Sequence, residues 1–122
     1  MKPNQKLYVV IRRDLSPGSQ AVQGMHALVE FSVEHRDAYF AWYRESNHLC
    51  MLSVENEKEL DYLVGKLFNE GIKHSMFREP FWDMSLTAIA IEATDQASEA
   101  VKHLPLALKN VAPVGQWPFS RL

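Results

Sequence analysis

Residues 6–27 read KLYVVIRRDLSPGSQAVQGMHA, and the change of character within this stretch decides the fold. Leu7 to Ile11 is an unbroken apolar run rich in β-branched residues, bracketed by Lys6 and Arg12. A run without alternation is the pattern of a strand covered on both faces. Asp14 to Gly18 breaks it, and Ser16 before Pro17 is a helix-start pair. The hydroxyl accepts from a free N–H of the first turn, and Pro stands where no N–H is needed. A long helix is predicted from there. At about 100° per residue, Ala21, Val22, Met25, Leu28, Val29 and Ser32 share the side expected to face the core. Gln23, His26, Ala27 and Glu30 fall on a neighbouring, more polar side.

Working outward, Arg36 to Arg44 (RDAYFAWYR) has helical aromatic spacing, and His48 to Val54 (HLCMLSV) reads as a second strand. Asn56 caps a helix carrying Leu60, Leu63, Val64, Leu67 and Phe68, which Gly71 closes. His74 to Arg78 is a third strand, Pro80 to Ser85 a loop, and Leu86 to Ile91 a fourth strand. Asp95 is expected to cap a last helix running to about His103. The order β-α-α-β-α-β-β-α predicts an α/β fold, a mixed four-stranded sheet covered by helices. Strands separated by helices imply a largely parallel arrangement, with an antiparallel final pair. Residues 1–108 form one predicted domain and 109–122 a tail, whose Trp117 and Phe119 are expected to fold back on the domain or dock on a second copy. In such sheets ligands gather where strands end and helices begin, here Arg12 to Ser19 and Glu79 to Ser85.

The 122 residues, 47% hydrophobic and 23% charged, suit one globular domain. With 13 Lys plus Arg against 15 Asp plus Glu, the net charge of −2 attracts no polyanion globally. Nucleic-acid binding would require a local basic patch, and Arg12 and Arg13 beside a helix N-terminus offer a phosphate-binding corner. A solvated charge pair is the equal alternative. The lone Cys50, placed in a predicted buried strand, favours a reducing compartment and a cytoplasmic location. No apolar run approaches the ~20 residues needed to cross a bilayer. The histidines lack the spacing of a zinc site, so no metal is expected.

Val9 to Ala27 resembles the opening of the type II peptidyl-tRNA hydrolases, matching at Arg12, Asp14, Leu15, Gly18, Ala21, Gln23, His26 and Ala27. The likeness continues through His48 to Val54, the acidic helix start Glu57, Glu59 and Leu60, the Glu70-Gly71-Ile72 turn, the pair Arg78-Glu79, Thr87, and HLPLAL at His103 to Leu108. The resemblance covers about residues 6–108. It implies that family's fold, cleavage of the ester joining a peptide to the terminal ribose of tRNA, no cofactor, and a tendency to homodimerise. The chain also departs from the pattern. Ser19 stands at the family's catalytic Lys, Glu79 at its Asp, and Pro80-Phe81 at a small Ala-Gly pair. Asp83 aligns with a Thr, both loops are shorter, and Glu92-Ala93 replaces a Gly-Pro.

Ester hydrolysis needs an activated water and a donor for the developing oxyanion. The resemblance assigns the first role to Glu79 and the second to Thr87 or Ser19, with Gln23 and His26 as supports and Arg12, Arg13, Arg78 and Trp82 toward substrate. The bland readings stand beside these. Glu79 is then a surface acid, Thr87 a β-former, Ser19 a capping residue, and His26 a packed ring. Phe81-Trp82 either narrows a pocket for the acyl group or fills the pocket of a relative that has lost the reaction. The functions in view are a peptidyl-tRNA or aminoacyl-tRNA hydrolase, a noncatalytic binding or regulatory relative, and a hydrolase for another small acyl substrate.

Overall fold

The computed structural model describes residues 1–109; the expectations for Trp117 and Phe119 lie outside them. The elements follow the predicted order: β1 (Lys6–Arg12), α1 (Pro17–Glu34), α2 (Arg36–Glu45), β2 (His48–Val54), α3 (Glu57–Asn69), β3 (His74–Glu79), β4 (Ser85–Ile91) and α4 (Asp95–Val101). The sheet order is β2-β1-β4-β3. Only β1 and β2 run parallel, from Lys6 opposite His48 to Arg12 opposite Val54. β4 is antiparallel to both β1 and β3, which corrects the largely parallel arrangement expected from the alternation of strands and helices.

β1 is central, and Leu7 to Ile11 are all buried because helices cover both faces. Leu7, Val9, Ile11, Ala88 and Ala90 pack with Ala27 and Phe31 of α1 and Trp42 of α2. Tyr8, Val10, Ile89 and Ile91 pack on the other side with Leu60, Leu63 and Leu67 of α3 and with Ala97, Ala100 and Val101 of α4. β2 lies at an edge, so its first residues are exposed and Cys50 is only half-buried. The segment after α4 lies along that edge, with Ser53 N donating to Pro105 O and Ala107 N to Met51 O.

The caps are largely those predicted. Ser16 Oγ accepts from Ser19 N, and Asn56 Oδ1 accepts from Glu59 N at 3.0 Å. At the end of α3, Gly71 (φ +68) donates to Phe68 O and Ile72 N to Leu67 O, a Schellman closure that the missing Cβ makes inexpensive. The cap of α4 is Thr94 rather than Asp95, and that helix ends at Val101.

The buried face of α1 differs from the prediction. Gln20, Gln23, Gly24, Ala27 and Phe31 face the protein, while Val22, Met25, Val29 and Val33 are exposed. The reason lies at Gly24, where a Cβ would stand 2.8 Å from Met51 Cε, 3.2 Å from Val9 Cγ1 and 3.3 Å from Ile11 Cγ2. At Gly24 α1 approaches the sheet so closely that no side chain fits beneath it, and the neighbouring glutamines are carried inward.

Candidate active site

Where β3 ends and β4 begins, the strand pairing is irregular. Phe77 lies opposite Ala88 and Arg78 opposite Leu86, which leaves Thr87 as the extra residue of a β-bulge. Bulges re-aim side chains and recur beside active sites. Thr87 is fully buried beneath α1, and its hydroxyl donates to Gln23 Oε1 at 2.6 Å. Phe77 O lies 3.3 Å from the same hydroxyl. Gln23 Nε2 in turn donates to Glu79 Oε1 at 3.0 Å. A carboxylate only accepts, so it fixes which end of the Gln23 amide faces it and leaves the amide oxygen for Thr87. The result is a continuous line from Thr87 through Gln23 to Glu79. Glu79 Oε2 receives only a long bond, 3.4 Å, from Phe81 N and is the oxygen left for water or substrate.

The segment after Glu79 is a 3-10 turn, Pro80–Trp82, followed by Asp83 (φ 53) and Met84 (φ 60). Two successive non-glycine residues in the left-handed region cost about 1–2 kcal/mol each. Met84 N donates to Glu79 O at 3.0 Å and Arg78 Nη1 to Met84 O at 3.3 Å, closing the turn. Phe81 is 91% exposed and Trp82 41%. Phe81 fills no pocket.

The remaining residues predicted for the site are dispersed around this line. Ser19 lies one helical turn before Gln23 on the same side of α1 and is partly exposed. His26, one turn after Gln23, stacks its ring on Phe77 at 4.3 Å with 7° between planes. Phe77 and Glu79 share one face of β3 roughly 7 Å apart, so this stack flanks the carboxylate. Arg12 is committed inward, with Nε and Nη2 donating to the two carboxylate oxygens of Asp14 and Nη1 to Ser85 Oγ and Leu86 O. The bond from Arg12 holds Asp14 below its usual carboxylate value, and the same bond raises Arg12. Arg13 turns to the other side, toward Ser53 Oγ at 3.3 Å and Glu55 at 3.4 Å. The joint phosphate corner expected of Arg12 and Arg13 is therefore divided, with Arg12 a brace for the start of β4. Arg78 points away from Glu79, toward Asp61 of α3.

Three contributors were not singled out in the sequence. Ser85 holds Arg12 across 73 positions, and Phe77 supports His26; both depend on strand pairing and carry no local mark. Gly24, which sets the height of α1, reads in sequence only as a weak point in a helix. Two of the open grooves among the described residues lie elsewhere. One, of about 550 Å³, runs between Val54, Tyr62, Leu63, His103 and Leu104. The other, about 500 Å³, is lined by Arg13, Gln20, Ser53 and Leu106 among others. Neither includes Glu79. Among the described residues no three His, Cys, Asp or Glu side chains gather as metal ligands, and no helix is long and apolar enough to cross a membrane.

Comparison with known proteins follows the same outline. Residues 5–107 match the family model described as peptidyl-tRNA hydrolase PTH2. A peptidyl-tRNA hydrolase of Methanocaldococcus jannaschii is 32% identical over 113 residues, covering 83% of this chain and 98% of that protein. Among solved structures, a protein of unknown function from Agrobacterium tumefaciens superposes with a TM-score of 0.63 at 11% identity, over 84% of this chain and 97% of the other. That last likeness concerns the fold alone.

Proposed function

The chain belongs to the peptidyl-tRNA hydrolase family PTH2, and from that premise we propose that it hydrolyses the ester between a peptide and the terminal ribose of tRNA. The observation that carries the mechanism is the hydrogen-bonded line Thr87–Gln23–Glu79. Gln23 holds one carboxylate oxygen, so Glu79 Oε2 is oriented outward to take a proton from water. The water oxygen adds to the ester carbonyl carbon, and the carbonyl oxygen becomes an oxyanion. We assign the donor to that oxyanion to the partly exposed Ser19 hydroxyl, one helical turn from Gln23. Collapse breaks the bond to the ribose oxygen, which recovers the proton from Glu79; free tRNA and the peptide acid leave, and the acid loses its proton to solvent to become the carboxylate. Thr87 is a positioning residue in this scheme, since its buried hydroxyl reaches the reaction only through Gln23. Ser19 offers a dipole where a Lys would offer a charge, and Arg13, paired with Glu55 on the other side of the strand, does not replace that charge at Glu79.

Single-turnover release of peptide from labelled peptidyl-tRNA tests the reading. Glu79→Gln is expected to slow release by about 10²–10⁴-fold, the usual range for losing a general base, with the unfolding transition unchanged. Undiminished turnover in that variant overturns the mechanism. Absence of turnover in the natural protein with tRNA binding retained identifies a noncatalytic relative. The single cysteine supports the cytoplasm as the proposed compartment, and the exposed stripe of α1 supports a homodimer.

A further inference from the structure

We infer that Phe81 is a stacking subsite for the terminal nucleobase of the tRNA, an inference that rests on the hydrolase reading of Glu79. Phe81 is the most exposed large apolar side chain among the described residues, at 91%, and no packing role accounts for it. The backbone that carries it is nevertheless tied down. Its own N–H faces Glu79 Oε2, and the turn that carries it is tied back by Met84 N to Glu79 O and by Arg78 to Met84 O. Two left-handed residues, Asp83 and Met84, complete that closure. The turn thus holds an uncovered aromatic ring two residues, at most ~7 Å of chain, from the carboxylate.

The chemistry of the substrate specifies what such a ring would meet. The scissile ester is carried by the last ribose, and the base on that same ribose is the one flat apolar surface always present at that separation. The peptide on the other side of the ester varies in size and polarity from one substrate to the next. A ring without polar atoms suits the invariant partner, because stacking uses the face of the base and needs no hydrogen-bond pattern. The His26–Phe77 stack, two residues before Glu79 along β3, is left for the acyl portion.

The test uses deacylated tRNA, intact or lacking its terminal adenosine, bound to the natural protein, Phe81→Ala and Phe81→Trp, with fluorescence anisotropy as the readout. Hydrolysis is not required, so the result is separate from the fate of Glu79→Gln. Phe81→Ala is expected to weaken binding of intact tRNA by ~5- to 100-fold, the range for one stacked base. It should leave tRNA lacking the adenosine unaffected, and Phe81→Trp should restore the difference. In peptidyl-tRNA cleavage the same loss should appear in KM. Equal weakening of both tRNAs overturns the inference, as does no weakening of either. A variant whose only change is a shift in sedimentation toward monomer makes the ring an interface residue and also overturns it.

Discussion

At the scale of single residues, the site depends on how one amide is shared. Gln23 has one oxygen and one nitrogen to offer inside the protein, and Thr87 and Glu79 take them both. Thr87→Val keeps the shape and removes the donor, leaving a buried Gln23 oxygen unsatisfied, which costs about 1–3 kcal/mol. A misplacement near 1 Å at a reacting group costs about a hundredfold in rate. Thr87→Val is therefore expected to lower kcat by roughly 10- to 100-fold with KM little changed, because Thr87 touches no substrate. Thr87→Ser should recover most of the loss. A rise in KM with kcat intact would show that Thr87 meets the substrate directly. Gln23, Glu79 and Thr87, which the structure joins by hydrogen bonds, are each picked out in the sequence by family likeness. Their connection is not, since Gln23 and Thr87 are 64 positions apart and only the bulge turns one toward the other.

At the scale of elements, the local signals were the legible ones. The strand Lys6–Arg12 and the Ser16-Pro17 start of α1 can be read directly because their causes, covered faces and free N–H groups, act over a few residues. The burial of α1 was misread for a reason of the opposite kind. Val22, Met25 and Val29 make the more hydrophobic stripe, but the side that faces the sheet is chosen by how closely the backbone approaches, and that is set at Gly24. Gly24→Ala gains about 1 kcal/mol of helix propensity. It also places a methyl group against Val9 and Ile11, whose β-branched chains yield little, and overpacking typically costs 1–3 kcal/mol. The variant is expected to be less stable by about 1 kcal/mol in urea unfolding. Cleavage should fall as well, since lifting α1 draws Gln23 away from Glu79. A more stable, fully active variant would mean that the Met51 methyl group simply moves aside.

At the scale of the molecule, the stripe that α1 leaves uncovered becomes the informative feature. Val22, Met25, Val29 and Val33 are 46%, 58%, 61% and 68% exposed, and Phe40 and Tyr43 of α2 are exposed nearby in sequence. Positions 22, 25, 29 and 33 are nearly symmetric about their midpoint. An antiparallel meeting of two α1 helices would set Val22 against Val33 of a second copy and Met25 against Val29. That is the self-complementarity a two-fold interface requires. One helix pair alone buries little area for a stable dimer, for which about 1,200 Å² is the lower range, so the aromatics of α2 would have to join the contact. Charge offers no substitute, because with a net charge of −2 two copies repel weakly. Val29→Glu places a carboxylate near the centre of the stripe, against the apolar Met25 position of a second copy. Sedimentation equilibrium at micromolar concentration is expected to give a dimer for the natural protein and a monomer for Val29→Glu, with the unfolding midpoint of the monomeric variant showing that the fold survives. A natural protein that sediments as a monomer would instead leave the stripe free to face the substrate, and Val29→Glu would then weaken tRNA binding through the added negative charge.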